Sequence, residues 1–147
     1  MSDCVFCEIA AGRLEASEIC RDELVIAFMD IYPWRPAHAL VAVKRHVRSV
    51  SDLSGPERDR LFAVTAHVAR AMRGSRLGCD DMHIVVNDGP AASQSIPHVH
   101  VHLVPRWRGD TWKLALRLLR HPLKRLTRPA PRAELDRQAA EIHAALR

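Results

Sequence analysis

Apolar and polar residues alternate most sharply over "HVHVHL", where Val99 and Val101 separate His98, His100 and His102 and Leu103 follows. Positions two apart in a strand share a face and lie about 6.7 Å from each other, whereas on a helix they spread around the cylinder. This run is therefore predicted to be a strand with Val99, Val101 and Leu103 toward a core and three imidazoles toward a site. Pro105 cannot donate to a ladder and is expected to mark its end. "SEICRD" and "LVIAFMD" read as a hairpin turning at Asp22-Glu23, and "HALVAVKRH" and "CDDMHIVVNDG" as two further strands. "IYPWRPA", with Pro33 and Pro36, is a loop.

The period changes in "SDLSGPERDRLFAVTAHVARAMRGS". Ser54 is placed to cap a helix, Pro56 sits in the first turn, and Glu57 follows Ser54 by three. Leu61, Phe62, Val64, Thr65, Val68 and Met72 make an apolar stripe at helical spacing, and Gly74 is a stop signal. "DCVFCEIAAG" suggests one short helical turn ending at Gly12. "DTWKLALRLLRHPLKRLTR" is a basic amphipathic segment interrupted by Pro122, and "PRAELDRQAAEIHAALR" a final helix. About five strands and three helices, with no internal repeat, are compatible with an α+β chain without deciding it.

Length and composition narrow this picture. A chain of 147 residues is large enough for one domain with a proper core. The longest apolar run, "LVIAFMDIYPW", is broken by Asp30 and Pro33, so no transmembrane segment or signal peptide is read and a cytoplasmic protein is expected. Between Arg106 and Arg132 nine Arg or Lys face one acid, Asp110, which leaves the rest of the chain net acidic. A basic amphipathic helix can bind a membrane surface; a helix pair covering a sheet face or a dimer seam is the favoured reading. Arg prevails over Lys, which occurs only at 44, 113 and 124, and Ala is abundant, as in a high-GC bacterial genome.

Three imidazoles on one strand face suit two chemistries. Neutral imidazole is a common transition-metal ligand. It is also a nucleophile toward phosphorus when its other nitrogen is held as a donor. "NDGPAASQSIP" favours the second, since Asn87, Gln94 and Ser95 supply amide and hydroxyl donors among small residues. Few acids surround the strand, which argues against a Mg²⁺ site. Duller roles stand beside these: Asp30 as a turn residue, His38 as a sheet-edge histidine, Asn87 as turn chemistry, Phe28 and Ile31 as core. The Cys4-x-x-Cys7 pair is a redox motif, two buried thiols, or half of a tetrahedral zinc site.

"CVFCEI", "AFMDIYPWRPAHALVAVKRH" and "NDGPAASQSIPHVHVHLVPR" together resemble the histidine triad (HIT) superfamily, in the order and spacing of its bacterial Hint-like branch with zinc-knuckle cysteines. The likeness covers about residues 4–106, implying a core there and a basic helical extension over 107–147 of a single 1–147 domain. It implies a HIT-like α+β fold: a five-stranded antiparallel sheet, a long helix, a C-terminal helical tail, and a homodimer with a continuous sheet. Carried over by position, His100 is the nucleophile, His102 a phosphate ligand, and Ser95 a hydroxyl near the bridging atom, with His38 completing the pocket. Asp30 is implied to bind ribose, Asn87 and Gln94 phosphate, and Phe28 and Ile31 the base of a purine nucleotide. Cys4, Cys7, His46 and His98 are implied to hold a structural zinc, with no metal needed at the scissile phosphate and no nucleic-acid partner.

The activity so implied is hydrolysis or nucleotidyl transfer at the α-phosphate of a nucleoside phosphoramidate or related purine nucleotide, through a nucleotidyl-histidine. A dinucleoside polyphosphate hydrolase, a metalloenzyme using all three histidines, and a nucleotide-binding or interaction protein with little catalysis are the alternatives. Two departures stand out: Ser93 replaces the usual Gly before "QS", and "HLVPR" resembles the fragile-histidine-triad ending.

Overall fold

The Asp22 carboxylate accepts the backbone N–H groups of Leu24 and Val25, each at 2.9 Å, and so folds β1 (Glu18–Arg21) back on β2 (Val25–Met29). This hairpin is the start of the sheet in a computed structural model that describes residues 4–120 and 128–146. The sheet adds β3 (Ala39–Val43), β4 (Asp81–Val86) and β5 (His100–Arg106), in the order β1-β2-β3-β5-β4 with every pairing antiparallel. Among the described residues four helices surround it: α1 (Val5–Ala10), α2 (Gly55–Gly74), α3 (Thr111–Arg120) and α4 (Arg132–Ala144). The expected α+β class and five-stranded antiparallel sheet are what the chain forms. The Pro122 interruption lies outside the described residues.

Every position of β2 and β3 is buried, which is why these strands read as continuous apolar runs. One face carries Ala27, Met29, Val41, Val43, Val101 and Leu103 against α2 and α4, which contribute Leu61, Val68, Met72, Leu135 and Ile142. The opposite face carries Ile26, Phe28, Leu40 and Ala42 under Phe6 and Ile9 of α1. Register then sets the site. Phe28 stands opposite Leu40 and Leu40 opposite His102, so these three form one row across β2, β3 and β5. Ile26, Ala42 and His100 form the next row.

Two expectations are corrected. Pro105 lies inside β5, opposite Met82, and the strand runs to Arg106. Asp80 N–H donates to the Arg106 carbonyl, so even-numbered residues of β5 turn their backbone toward β4 and odd ones toward β3. Pairing with β3 has stopped at Leu103, so the donor that Pro105 lacks has no strand to meet. Phe62 is exposed rather than part of the buried stripe. It lies about 100° round the helix from Leu61, just past the buried arc that closes at Ala69.

The covering role favoured for the tail is taken by α4. Leu135, Ala139 and Ile142 join the main core, and His143 Nδ1 bonds the Ile19 carbonyl at 2.7 Å. In α3, Leu114 is buried while Trp112 and Leu119 are exposed. Among the described residues no helix is long and apolar enough to cross a membrane.

The start of α2 is held by a buried carboxylate. Ser54 and Glu57 form a reciprocal capping box, and Arg45 Nε and Nη2 each reach Glu57 at 2.7 Å. The Arg45 fork, helped by Ser54, pulls the Glu57 pKa from 4.5 down to about 2. A carboxyl whose folded pKa is depressed stabilises the fold above its unfolded pKa and loses that contribution as pH falls through the folded one. Glu57→Gln is therefore expected to cost about 2 kcal/mol at pH 7, allowing for solvent screening at the exposed end of Arg45. The deficit should shrink between pH 4.5 and about 2 in a urea-unfolding series. A deficit constant over that range would mean that the charge does not matter.

Candidate functional site

His98, His100 and His102 are all buried, at 0, 4 and 7 % exposure, so each ring needs a partner for its polar nitrogens. His100 Nδ1 lies 2.7 Å from the His98 carbonyl oxygen. A carbonyl only accepts, so the proton sits on Nδ1 and Nε2 carries the in-plane lone pair. A second relay fixes His102. The Trp34 backbone N–H donates to His38 Nδ1 at 3.1 Å, which places the proton of His38 on Nε2. That nitrogen lies 3.0 Å from His102 Nδ1, so His102 accepts there and presents Nε2–H as a donor. The two rings, centroids 4.7 Å apart, thus set an imidazole lone pair beside an N–H donor.

Neither Trp34 nor Phe6 was singled out from the sequence, and both pack against the triad. The Trp34 indole stacks on His102 at 4.7 Å and 17°, while Phe6 meets His100 edge-on at 4.9 Å and 82°. No periodicity announces either: Trp34 sits between two prolines, and Phe6 lies within the Cys-x-x-Cys pair.

A cleft of about 400 Å³ opens over this face. His100, His102, Ser95, Asn87, Phe28, Asp30 and Ile31 all line it. Phe28 is a buried floor residue, and Ile31 is an exposed lip. Asp30 caps its own turn, its Oδ1 accepting Tyr32 N–H at 2.8 Å, and its Oδ2 lies 3.4 Å from His38 Nδ1. Thus the turn role and a place at the cleft coexist. His38 is fully buried behind His102 rather than on the cleft wall.

Gln94 is not brought to the cleft. Its Oε1 accepts Gly89 N–H at 3.0 Å and its Nε2 donates to the Arg48 carbonyl at 2.8 Å, so it braces the loop that carries Ser95. Ser93 adopts φ +64°, a conformation favoured for glycine, so the departure noted at this position leaves the loop's path intact at some backbone strain. Ala37, just before His38, has φ +60°.

Just before β5, on the same face as His100, four donors converge. Cys4 Sγ and Cys7 Sγ lie 3.3 and 3.6 Å from His98 Nδ1, and Cys7 Sγ lies 3.4 Å from His46 Nδ1. All four ligand atoms fall within 4.8 Å of one another. A tetrahedral zinc with ordinary Zn–S and Zn–N bonds sets its sulfur and nitrogen ligands about 3.6 Å apart, so the spacing fits. His98 Nε2 bonds the Val43 carbonyl at 2.6 Å, which leaves the Nδ1 lone pair for a metal. Burial pushes the His98 pKa below its ordinary value and holds the ring in the neutral form a metal needs. The redox reading of the pair has no support here, since both thiols face imidazoles. Cys79 is simply buried in the main core.

The family model for the HIT domain matches residues 11–109. An uncharacterised HIT-like protein of Mycobacterium tuberculosis is 37% identical over 139 residues, covering 93% of this chain and 96% of that protein. The adenosine 5′-monophosphoramidase of Schizosaccharomyces pombe is 30% identical over 103 residues, covering 70% of this chain and 74% of that protein. Among solved structures, a zinc-bound histidine triad family protein from Mycobacterium smegmatis superposes with a TM-score of 0.80 at 34% identity. The match covers 98% of this chain and 93% of that one.

Elemental analysis of the purified protein is expected to find about one zinc per chain for a Cys₂His₂ site. Cys4→Ser should lower that content several-fold and lower the thermal midpoint. Unchanged zinc in Cys4→Ser would rule out this ligand set.

Proposed function

The chain belongs to the HIT domain family, and from that premise we propose that it hydrolyses a purine nucleoside phosphoramidate through a nucleotidyl-His100 intermediate. The observation that carries this is the 2.7 Å bond from His100 Nδ1 to the His98 carbonyl, with the His102 donor beside it. His100 Nε2 attacks the α-phosphorus as the phosphorus–nitrogen bond to the protonated amine breaks and releases neutral amine; water then cleaves the phosphorus–His100 bond, giving up a proton, to release the monophosphate. As Nε2 becomes bonded to phosphorus the ring turns cationic, with its Nδ1–H already aimed at a carbonyl oxygen. His102 Nε2–H donates to a phosphoryl oxygen, and the Ser95 hydroxyl meets the leaving group. In this mechanism no metal acts at the phosphorus, and zinc serves the neighbouring residue.

Two geometric features support a nucleotide. Phe28 lies two strand positions from His102 in the same row, about 10 Å across the sheet, which is the reach from an α-phosphate to its base. Asp30 lies along that path, where a carboxylate can accept ribose hydroxyls. The relative from Schizosaccharomyces pombe, named an adenosine 5′-monophosphoramidase, favours an amine leaving group. We also read the protein as a homodimer joined along β4, the exposed outer strand with Ile84 48 % exposed.

Purified protein is expected to release nucleoside monophosphate from adenosine or guanosine 5′-phosphoramidate faster than from diadenosine polyphosphate, and in the presence of chelator. His100→Ala should lose about 10³-fold or more in rate with its thermal midpoint retained. Full activity in His100→Ala, or activity abolished by chelator with the fold intact, would overturn the covalent mechanism. Light scattering should report a dimer that Ile84→Arg splits into monomers; a monomeric parent protein would remove the β4 interface.

A further inference from the structure

The cleft has a wall to which the C-terminal tail, outside the HIT match, contributes one residue. The backbone N–H of Ala130 donates to the Ile31 carbonyl at 2.8 Å, and this bond draws the start of α4 over the outer end of the cleft. Arg132, beyond the matched residues 11–109, thereby lines it. Its guanidinium is held in place from behind, Nη1 donating to Ser17 Oγ at 3.1 Å and Nη2 to the Glu15 carbonyl at 3.2 Å. Two of its five N–H donors are thus used, which leaves three, and Arg132 lines the cleft. Glu15 also lines the cleft, so an acidic and a basic residue border the same space. Otherwise the wall is apolar, with Leu14, Ala16 and Ile9.

From this juxtaposition we propose that Arg132 and Glu15 make the cleft selective for guanine nucleotides over adenine nucleotides. The inference rests on the nucleotide-hydrolase reading above. Guanine presents two adjacent acceptors, O6 and N7, which match a guanidinium fork, whereas adenine replaces O6 with an N6–H₂ donor. Guanine also carries N–H donors at N1 and N2, which suit the Glu15 carboxylate; adenine N1 is an acceptor and would be repelled by it. A site built to bond one edge rejects the analogue that leaves its polar groups unmatched. Both residues therefore favour the same base, one through donors and the other through acceptors.

The test compares kcat/KM for guanosine and adenosine 5′-phosphoramidate on the full chain, beside equilibrium binding of GMP and AMP to the His100→Ala protein. A guanosine preference of about tenfold is expected from one well-aligned bidentate pair. Arg132→Lys, which keeps the cation beside Ser17 but loses the fork, should bring the ratio toward one through loss on guanosine alone. Glu15→Gln should reduce the ratio several-fold. Equal affinity of the parent for both bases, a preference for adenosine, or an equal loss on both bases in Arg132→Lys (the sign of stacking rather than edge recognition) would each overturn the proposal. If neither phosphoramidate turns over, the hydrolase reading fails. The GMP-to-AMP binding ratio, and its response to Arg132→Lys, then decides base recognition by itself.

Discussion

The bond from His100 Nδ1 to the carbonyl of His98 ties the cysteine–histidine cluster to the cleft. One residue, His98, offers its ring to the Cys4–Cys7–His46 cluster and its carbonyl to the ring two positions on. A strand makes this possible. Alternate side chains share a face, and the intervening Val99 and Val101 bury the strand against the main core. Slipping the register by one residue would turn the imidazoles into the aliphatic layer and the valines into the cleft. The place of β5 between β3 and β4, with Val101 and Leu103 in the aliphatic core and His100 and His102 at the cleft, is what forbids that slip.

Burial also decides protonation. Imidazoles withdrawn from water resist a charge, and His98 is held below its ordinary pKa for that reason. The proton of each inner ring is then placed by a partner of fixed polarity. A carbonyl can only accept from His100, and the Trp34 N–H can only donate to His38. Backbone groups set these tautomers, so the arrangement is rigid before any ligand arrives. The Trp34 loop is itself anchored. Arg35 Nε lies 3.1 Å from Asp110, whose pKa is lowered chiefly by its bonds from Arg106 at the end of β5. Arg35 also lies over the Trp107 ring at 5.3 Å. The loop that orients His38 and stacks on His102 is therefore pinned to the far end of the histidine strand.

Much of this was legible in the chain. Strand alternation, the hairpin at Asp22, the Ser54–Glu57 cap and the convergence of Cys4, Cys7, His46 and His98 follow from short-range pattern or from ordered motif blocks. The misreadings have physical causes. Pro105 ends a strand only where its missing donor faces a neighbour, and which side that is depends on sheet order. Phe62 sits at the margin of a helical arc whose width is set by what packs on it. Gln94 carries an amide, which suits a loop brace as well as a ligand. Trp34 and Phe6 escaped notice because stacking on an imidazole requires only proximity, and no sequence period encodes it.

The C-terminal tail shows how far local pattern reaches. Its helical character and charge were plain, yet its contribution to the site arises from one long-range hydrogen bond, Ala130 N–H to Ile31. That bond joins the tail to the lip of the cleft. The apolar face of α4 (Leu135, Ala139, Ile142) fixes the helix on the other side of the sheet. Arg132, the first residue of α4, is then delivered to the cleft by packing rather than by motif. The histidine arrangement is thus built into the strand, while the cleft is finished by a segment whose position the core decides. Selectivity there can change with the tail while the histidine relay stays as it is.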